Sequence, residues 1–257
     1  MGHFVKSNVD RTEKLFYKAG SFVAAAKIEG DYLEFGVFSG SKFASAFHLI
    51  RDAYKSSYTT SIWNTEEECI ERQTQWKKMR FFAFDSFQGL PKPTGIDALS
   101  NDFIEGKYSN SEDGFISSIT SKGVPKDRVV IVPGWFNESL NESTRKKHEI
   151  KHAAIVHIDS DLYESAKSVL NFIRPLLVDG TIIIFDDWYN FKGNPNLGEQ
   201  RAFREWLDEN PDWTATQYQK EDVWRNSFIM NKNISNLSCP QEIAAPDDYS
   251  VALHNSR

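Results

Sequence analysis

The chain has 257 residues, which allows one sizeable α/β domain and is too short for two comfortable ones. Its 30 Lys and Arg residues against 36 Asp and Glu residues give a formal net charge of −6, which excludes the basic field of a nucleic-acid binder. No apolar stretch forms a membrane span or a signal peptide, and the two cysteines match neither a secretory disulfide pattern nor a zinc-ligand spacing. We therefore expect a cytoplasmic protein without a nucleic-acid or membrane partner.

Residues 8–28 predict an amphipathic helix before the first strand. Its apolar positions recur at helical spacing and fall on one face: Leu15, Phe16, Ala19, Phe22 and Val23. We expect this helix to cover the edge of the domain, and we assign residues 1–29 to an N-terminal helical cap.

Five short apolar runs follow this helix, and several are separated by segments with helical periodicity. The runs are residues 32–36, 81–85, 129–132, 154–159 and 181–186. Residues 42–54 and 163–177 follow the first and the fourth run directly, with apolar side chains on one face. Short strands that alternate with helices predict a parallel sheet wound with helices.

Two further runs, residues 214–219 and 227–231, flank a charged turn near the end of the chain. They predict an antiparallel pair that closes the sheet. We place the main domain at residues 30–238 and treat residues 239–257 as a C-terminal extension.

Two stretches are long for connections within a compact domain, residues 57–79 and 86–125. The first is polar, and the second carries several glycines and prolines. Long loops of this kind are often lids, so we predict that residues 86–125 form a lid insertion.

A glycine-rich turn follows the first strand and opens a helix. Ligands of an open parallel sheet bind outside the carboxyl ends of its strands, and glycines there let the backbone approach a ligand closely. The spacing differs from the G-x-G-x-x-G of dinucleotide enzymes, and a simple tight turn is the alternative interpretation. The predicted ligand-binding residues of this turn are Glu34, Gly36, Val37, Phe38, Ser39, Gly40 and Ser41.

The second and third strands end in groups suited to a nucleoside. Asp85 ends the second strand, where a carboxylate can accept hydrogen bonds from both ribose hydroxyls, although a capping or turn role is the alternative. After the third strand, Gly134 permits close approach of a ligand, and Trp135 or Phe136 offers an aromatic face for an adenine ring unless both belong to the core. Two residues beside Asp85 complete the predicted nucleoside pocket: Ser86 and Phe87.

Three carboxylates end the fourth and fifth strands, which are expected to be neighbours. They are Asp159, Asp186 and Asp187. Clustered like charges repel and need a cation, so we predict a metal site, with turn-capping acids as the alternative. Oxygen ligands favour a hard ion, magnesium before calcium or manganese. Asp161 and Glu164 have the spacing of a helix capping box, so we assign Asp161 a structural role.

Taken together, these segments resemble the macrocin O-methyltransferase family, enzymes that methylate sugar hydroxyls in macrolide biosynthesis. The resemblance spans about residues 12–230. Its motifs are Glu34-Phe-Gly-Val-Phe-Ser-Gly, Phe84-Asp-Ser-Phe-Gln-Gly-Leu-Pro, Val132-Pro-Gly-Trp-Phe, His157-Ile-Asp-Ser-Asp-Leu-Tyr-Glu-Ser and Phe185-Asp-Asp-Trp. It implies the class I methyltransferase fold, an α/β, Rossmann-like, doubly wound sheet of seven mostly parallel strands.

The resemblance also implies S-adenosylmethionine as cofactor and a divalent cation, Mg²⁺ first, held by Asp159, Asp186 and Asp187. The order and separation of these acids also look like the layout in catechol O-methyltransferase. Asp159 would contact cofactor and metal and accept the substrate proton as general base. The implied acceptor is a small hydroxylated molecule with a vicinal diol, glycosylated by first expectation and a catechol or polyketide by second. A homo-oligomer is compatible with this reading.

Two other functions share parts of this pattern. A nicotinamide-dependent oxidoreductase also has a parallel sheet and a ribose-binding acid, but the spacing of Glu34 and Gly36 and the acidic cluster argue against it. A catalytically silent binder would keep the nucleoside pocket without needing the three acids. Binding of S-adenosylhomocysteine without binding of NAD separates the methyltransferase from the oxidoreductase.

Overall fold

Seven strands form one mixed sheet in this computed structural model, which describes residues 14–58, 64–99 and 103–233. The strands are β1 (Asp31–Phe35), β2 (Phe81–Asp85), β3 (Val129–Pro133), β4 (Ala153–Ile158), β5 (Leu177–Phe185), β6 (Trp213–Glu221) and β7 (Arg225–Lys232). Their order in the sheet is β3-β2-β1-β4-β5-β7-β6. Strands β1 to β5 are parallel, and β7 pairs antiparallel with both β5 and β6. The predicted parallel sheet with an antiparallel closing pair is confirmed.

Helices cover both faces of the sheet. They are α1 (Leu15–Ala25), α2 (Ser41–Ser57), α3 (Glu66–Lys78), α4 (Glu112–Ser121), α5 (Phe136–Ser139), α6 (Glu142–Lys147), α7 (Tyr163–Ile173) and α8 (Gly198–Glu209). One apolar core lies beneath α1, α2 and α4, and a second lies beneath α7 and α8. The architecture is therefore doubly wound, as predicted.

Alternation of side chains along β2 explains why the strands read as continuous apolar runs. Phe81 and Ala83 belong to the first core, whereas Phe82 and Phe84 belong to the second. Successive side chains of a strand point to opposite faces, so a strand covered on both sides is apolar at every position. Parallel strands also align their carboxyl ends, which brings the residues after β1, β2, β4 and β5 to one edge.

The helix α1 buries the predicted apolar face, including Leu15, Phe16 and Val23. Gly20 permits close packing on α2, because a Cβ there would lie 3.1 Å from the Cβ of Ala53. The division into a cap, a main domain and a C-terminal extension stays a prediction, and the proposed extension lies outside the described residues. In the part of the chain that the structure describes, no helix has the length and apolar character that crossing a bilayer requires.

The expected loop at residues 57–79 is wrong over much of its length, because it contains α3. Thr65 and Glu68 form a capping box at the start of this helix, in which each side chain pairs with the backbone N–H of the other residue. The predicted lid at residues 86–125 likewise holds a helical segment, α4, which Ser111 caps.

Candidate active site

A cavity of about 650 Å³ opens at the carboxyl ends of the parallel strands. It lies at the point where the strand order reverses between β1 and β4, the usual ligand position in open α/β sheets. The predicted residues that line it are Gly36, Val37, Phe38, Ser39, Ser41, Asp85, Ser86, Trp135, Phe136, Asp159, Asp186 and Asp187. Four other predicted residues lie outside its lining: Glu34, Gly40, Phe87 and Gly134.

The turn after β1 is held against the end of β4. Gly36 has a φ of +89°, and a Cβ there would lie 1.9 Å from the carbonyl oxygen of Asp159. Gly40, with a φ of +72°, leaves no room for a Cβ beside the side chains of Ile119 and Phe115. Glycine is therefore required at both positions, at the first by a backbone contact and at the second by side chains of α4.

The carboxylate of Asp85 connects the turns that follow β1 and β2. Its Oδ2 accepts hydrogen bonds from the N–H groups of Val37, at 2.7 Å, and Phe38, at 3.1 Å. Its Oδ1 accepts a hydrogen bond from the Phe87 N–H at 2.7 Å. Asp85 thus has a turn-capping role while it also lines the cavity. Because a carboxylate has about four lone-pair sites, it retains acceptor capacity for a ligand hydroxyl.

Glu34 lies inside the protein, behind the wall of the cavity. It is 1% exposed, its carboxylate accepts a hydrogen bond from the hydroxyl of Tyr32, and its Oε2 lies 3.4 Å from Nδ1 of His157. His157 is fully buried, and its Nε2 lies 3.3 Å from Oδ1 of Asp186. Glu34 therefore reaches the acidic cluster through His157.

Asp159 and Asp186 come together around a lysine. Lys42 Nζ lies 2.8 Å from Oδ2 of Asp159 and 2.5 Å from Oδ2 of Asp186. The sequence reasoning missed this residue. One signal was available, because Lys42 is in the first turn of α2, where the helix dipole disfavours a cation unless acids lie nearby.

Two further cationic groups contact the other oxygen of Asp186. Arg225 of β7 places its Nε against Oδ1, beside the contact from His157. Burial raises the pKa of Asp186, but the hydrogen bond and charge of His157, followed by Lys42 and Arg225, outweigh it and hold the pKa well below its usual range. Burial opposes the charge on His157, but Glu34 and Asp186 raise its pKa to about 9.

Asp187 lies beside this cluster and faces a different set of groups. Its Oδ2 accepts a hydrogen bond from the Asp161 N–H at 3.2 Å, and its Oδ1 accepts one from the Asn190 amide at 2.8 Å. Among the described residues, the group whose ligand atoms lie within 4.8 Å of one another contains His157, Asp159 and Asp186. The structure thus brings two of the three predicted metal ligands together and adds a histidine.

Burial and mutual repulsion disfavour the charged form of the surrounding acids. Burial and then Asp186 raise the pKa of Asp159 to about 7, while burial and then Asp159 raise that of Asp161 to about 7. The pKa of Asp187 rises to about 8 through burial and the charges of Asp161 and Asp186. The cluster therefore favours additional positive charge.

The prediction that Asp161 caps α7 is wrong. No side chain at the start of this helix caps it; instead Asp97, from the segment predicted to form a lid, accepts hydrogen bonds from the N–H groups of Tyr163, at 2.8 Å, and Glu164, at 3.2 Å. Asp161 has a left-handed backbone with a φ of +59°, which sets it outside the capping position, and it lines the cavity. A contact between such distant parts of the chain leaves no local sequence signal.

The strand order and the cavity together define the class I methyltransferase fold, with the antiparallel pair β6 and β7 at one edge. Two solved structures show the same fold. One is the O-methyltransferase NovP, with a TM-score of 0.64, 18% identity, and coverage of 86% of this chain and 80% of that chain. The other is CalS11, a calicheamicin methyltransferase, with a TM-score of 0.60, 21% identity, and coverage of 83% and 76%.

The chain belongs to the macrocin-O-methyltransferase (TylF) family, whose model matches residues 68–219. It is 28% identical over 115 residues to 8-demethyl-8-(2,3-dimethoxy-alpha-L-rhamnosyl)-tetracenomycin-C 4'-O-methyltransferase of Streptomyces olivaceus, which is 42% of each chain. It is also 28% identical over 110 residues to demethyldecarbamoylnovobiocin O-methyltransferase of Streptomyces niveus, which is 40% of each chain. The matches thus span less than half the length of these curated relatives.

Proposed function

We propose that this protein is an S-adenosylmethionine-dependent O-methyltransferase that acts on a hydroxyl group of a glycosylated small molecule. Membership of the macrocin-O-methyltransferase family supports the reaction class. The observation that carries the proposal is the cavity at the strand ends, where a glycine turn faces a cluster of buried and half-buried carboxyl groups. Such a cavity can hold a nucleoside on one side and a hydroxyl-bearing acceptor on the other.

The name of one curated relative supports the acceptor class. It describes a substrate with a rhamnosyl group on tetracenomycin C and a methyl transfer to a 4' oxygen. Carboxyl groups that line a cavity suit a ligand rich in hydroxyl donors, as a sugar is. A catechol or polyketide hydroxyl is the second acceptor class to test.

The wall formed by the β1, β2 and β3 turns fits the methyl donor. Gly36 brings backbone to the cavity surface, Asp85 retains acceptor capacity for a ribose hydroxyl, and Trp135 with Phe136 borders the same space. When bound, S-adenosylmethionine supplies an electrophilic methyl group on its sulfonium. The residues of this wall would hold the cofactor beside the acids that follow β4 and β5.

The acidic cluster fits a divalent cation in the chemistry of its donors. Oxygens of Asp159 and Asp186 already converge on one positive group, the ammonium of Lys42, which marks where a cation is stabilised. Asp187 lies at the edge of the cluster, within the same cavity lining. When bound, Mg²⁺ or another divalent cation supplies Lewis-acid polarisation of the acceptor hydroxyl. Asp159, Asp186 and Asp187 are the residues that would hold it.

Proton removal falls to Asp159 in this proposal. Methyl transfer forms a carbon–oxygen bond and breaks the carbon–sulfur bond, while the hydroxyl proton passes to a carboxylate. The carboxylate of Asp159 lines the cavity beside the other acids, where it can accept the proton of a bound acceptor hydroxyl. Residues of the predicted lid, among them Leu90, Pro91 and Tyr108, border the cavity, and we expect them to exclude water from the reaction.

Calorimetry and a methyl-transfer assay test this function. We expect S-adenosylhomocysteine to bind and NAD not to bind. With S-adenosylmethionine and Mg²⁺ present, glycosylated acceptors with vicinal hydroxyls should gain a methyl group, detected by mass spectrometry. Binding of NAD in place of S-adenosylhomocysteine would favour the oxidoreductase, and full activity of enzyme treated with EDTA would remove the metal from the mechanism.

A further inference from the structure

The ammonium of Lys42 stands where the acidic cluster would hold a metal ion. We propose that Lys42 is a built-in counter-ion, which a divalent cation must displace in order to bind Asp159 and Asp186. This inference rests on the proposed function, because that proposal assigns the metal to these acids. It adds a residue that sets how tightly the site binds metal and that pairs with the acids when metal is absent.

The contact geometry makes lysine and metal mutually exclusive. Lys42 Nζ lies within 2.8 Å of one oxygen on each acid. Oδ1 of Asp186 already faces His157 and Arg225, so a divalent cation bound to Asp186 needs the Oδ2 that Lys42 contacts. At a ligand distance of about 2.0–2.6 Å the cation would lie against the ammonium. Two positive charges at such a distance repel strongly, so one has to leave before the other binds.

Lys42 is the cation that can leave. Its side chain is 42% exposed, so the ammonium can swing into solvent on its flexible stem while the helix stays in place. Arg225 is only 17% exposed and is also held by Glu221 at 2.9 Å and Asp222 at 3.4 Å. His157 is fully buried. The other two cationic contacts of Asp186 are therefore fixed parts of the site, and they lie on its other oxygen.

Removal of the ammonium should therefore strengthen metal binding. Lys42→Met keeps an unbranched apolar stem and deletes the charge, whereas Lys42→Arg keeps the charge. Lys55→Met is the matched control, because Lys55 is an exposed lysine of the same helix near its opposite end. Lys42→Gln gives a second neutral variant in case the methionine variant does not fold, which circular dichroism checks.

Mn²⁺ titration of the full chain, followed by the electron paramagnetic resonance of free Mn²⁺, tests the proposal without an activity measurement. We expect Lys42→Met and Lys42→Gln to bind Mn²⁺ roughly tenfold or more tightly than the wild type. Lys42→Arg and Lys55→Met should stay close to the wild type. Equal or weaker binding by folded neutral variants, or no binding by any of the proteins, would overturn the proposal. Methyl transfer and S-adenosylhomocysteine binding are measured separately, so failure of the proposed function is distinguishable from failure of this inference.

Discussion

Asp97 of the lid accepts a hydrogen bond from the N–H of Tyr163, at 2.8 Å and across 66 positions of the chain. The same carboxylate accepts the next N–H, that of Glu164. Asp97 therefore caps the first turn of α7. Asp159 and Asp161 lie in the short segment between β4 and this capped turn. The position of Asp97 and the stability of the first turn of α7 are consequently coupled.

Replacement of Asp97 should destabilise the protein. Asp97→Ala removes the cap from α7 and should lower the free energy of unfolding by about 1–2 kcal/mol. Asp97→Asn should be milder, because its amide oxygen still accepts one N–H. Urea denaturation measures both, with Asp208→Ala as the control at an exposed helical position. An unchanged stability of Asp97→Ala would show that the cap contributes nothing.

Asp85→Ala should weaken binding of S-adenosylhomocysteine roughly tenfold or more, through lost charge-assisted hydrogen bonds. Two causes combine, since the carboxylate is predicted to bind ribose and also orders the turn at Val37 and Phe38. Asp85→Asn keeps an acceptor oxygen, so its affinity for S-adenosylhomocysteine should lie between those of the wild type and Asp85→Ala. Calorimetry checks the order, and a folded Asp85→Ala protein with wild-type affinity would contradict the ribose assignment.

Asp186→Asn should impair metal binding more than Asp187→Asn does. Asp186 contacts Lys42 directly, whereas the Asp187 carboxylate faces the Asp161 backbone and Asn190. We expect at least about a tenfold loss of Mn²⁺ affinity for Asp186→Asn, with S-adenosylhomocysteine affinity nearly unchanged. A larger loss of Mn²⁺ affinity for Asp187→Asn than for Asp186→Asn in the same titration would indicate that Asp187 is the more important metal ligand.

Asp159→Asn should lower kcat more than Asp161→Asn, because Asp159 contacts the cationic centre of the cluster and is the proposed proton acceptor. The sequence-based reason for a mild Asp161 effect, a retained helix cap, no longer applies, since Asp97 supplies that cap. Asp161→Asn should therefore leave the stability of α7 unchanged. Measurement of kcat for both variants at saturating cofactor and Mg²⁺ tests this order. A larger loss of kcat for Asp161→Asn would indicate that Asp161 is the proton acceptor.

The buried Glu199 should make stability depend on pH. Burial, followed by the charges of Asp187 and Asp186, raises its pKa well above the usual range, so the folded protein holds a proton that the unfolded chain releases. Its contribution is full below the unfolded carboxyl pKa of about 4.3 and declines as the pH rises toward the folded pKa, by up to about 1.4 kcal/mol per pH unit. The side chain of Glu199→Gln stays neutral at every pH. In metal-free protein, the free energy of unfolding of this variant should therefore rise relative to that of the wild type between about pH 5 and pH 8. A difference in free energy of unfolding between the two proteins that stays constant across that pH range would refute this prediction.

The patterns that predicted the fold are local ones. The run Phe81–Asp85 was readable because a strand buried on both faces is apolar throughout, and the acids Asp159 and Asp186 were readable because parallel strands end at one edge. Even a readable local signal was missed at Thr65 and Glu68, where polarity argued for a loop and the capping box argued for a helix.

The two residues that change the interpretation of the site, Lys42 and Asp97, were missed for another reason. Lys42 contacts acids 117 and 144 positions away, and Asp97 contacts the backbone of α7 across 66 positions. Such contacts depend on the exact path of the turns after β1 and β2. Spacing within one motif carries no information about them.

The contact between Gly36 and the carbonyl of Asp159 keeps two properties of the site independent: the position of the turn after β1 and the choice of acceptor. The turn after β1 and the end of β4 meet main chain against main chain, so this contact does not depend on side chains of residues 86–125. On the proposed function, side chains of the predicted lid can diversify to admit new acceptors while the main-chain contact between the two turns is kept. Substitution of the exposed cavity-lining side chains of this segment, with Asp97, Phe115 and the turn at Gly36 retained, is accordingly the practical route to new acceptor preference.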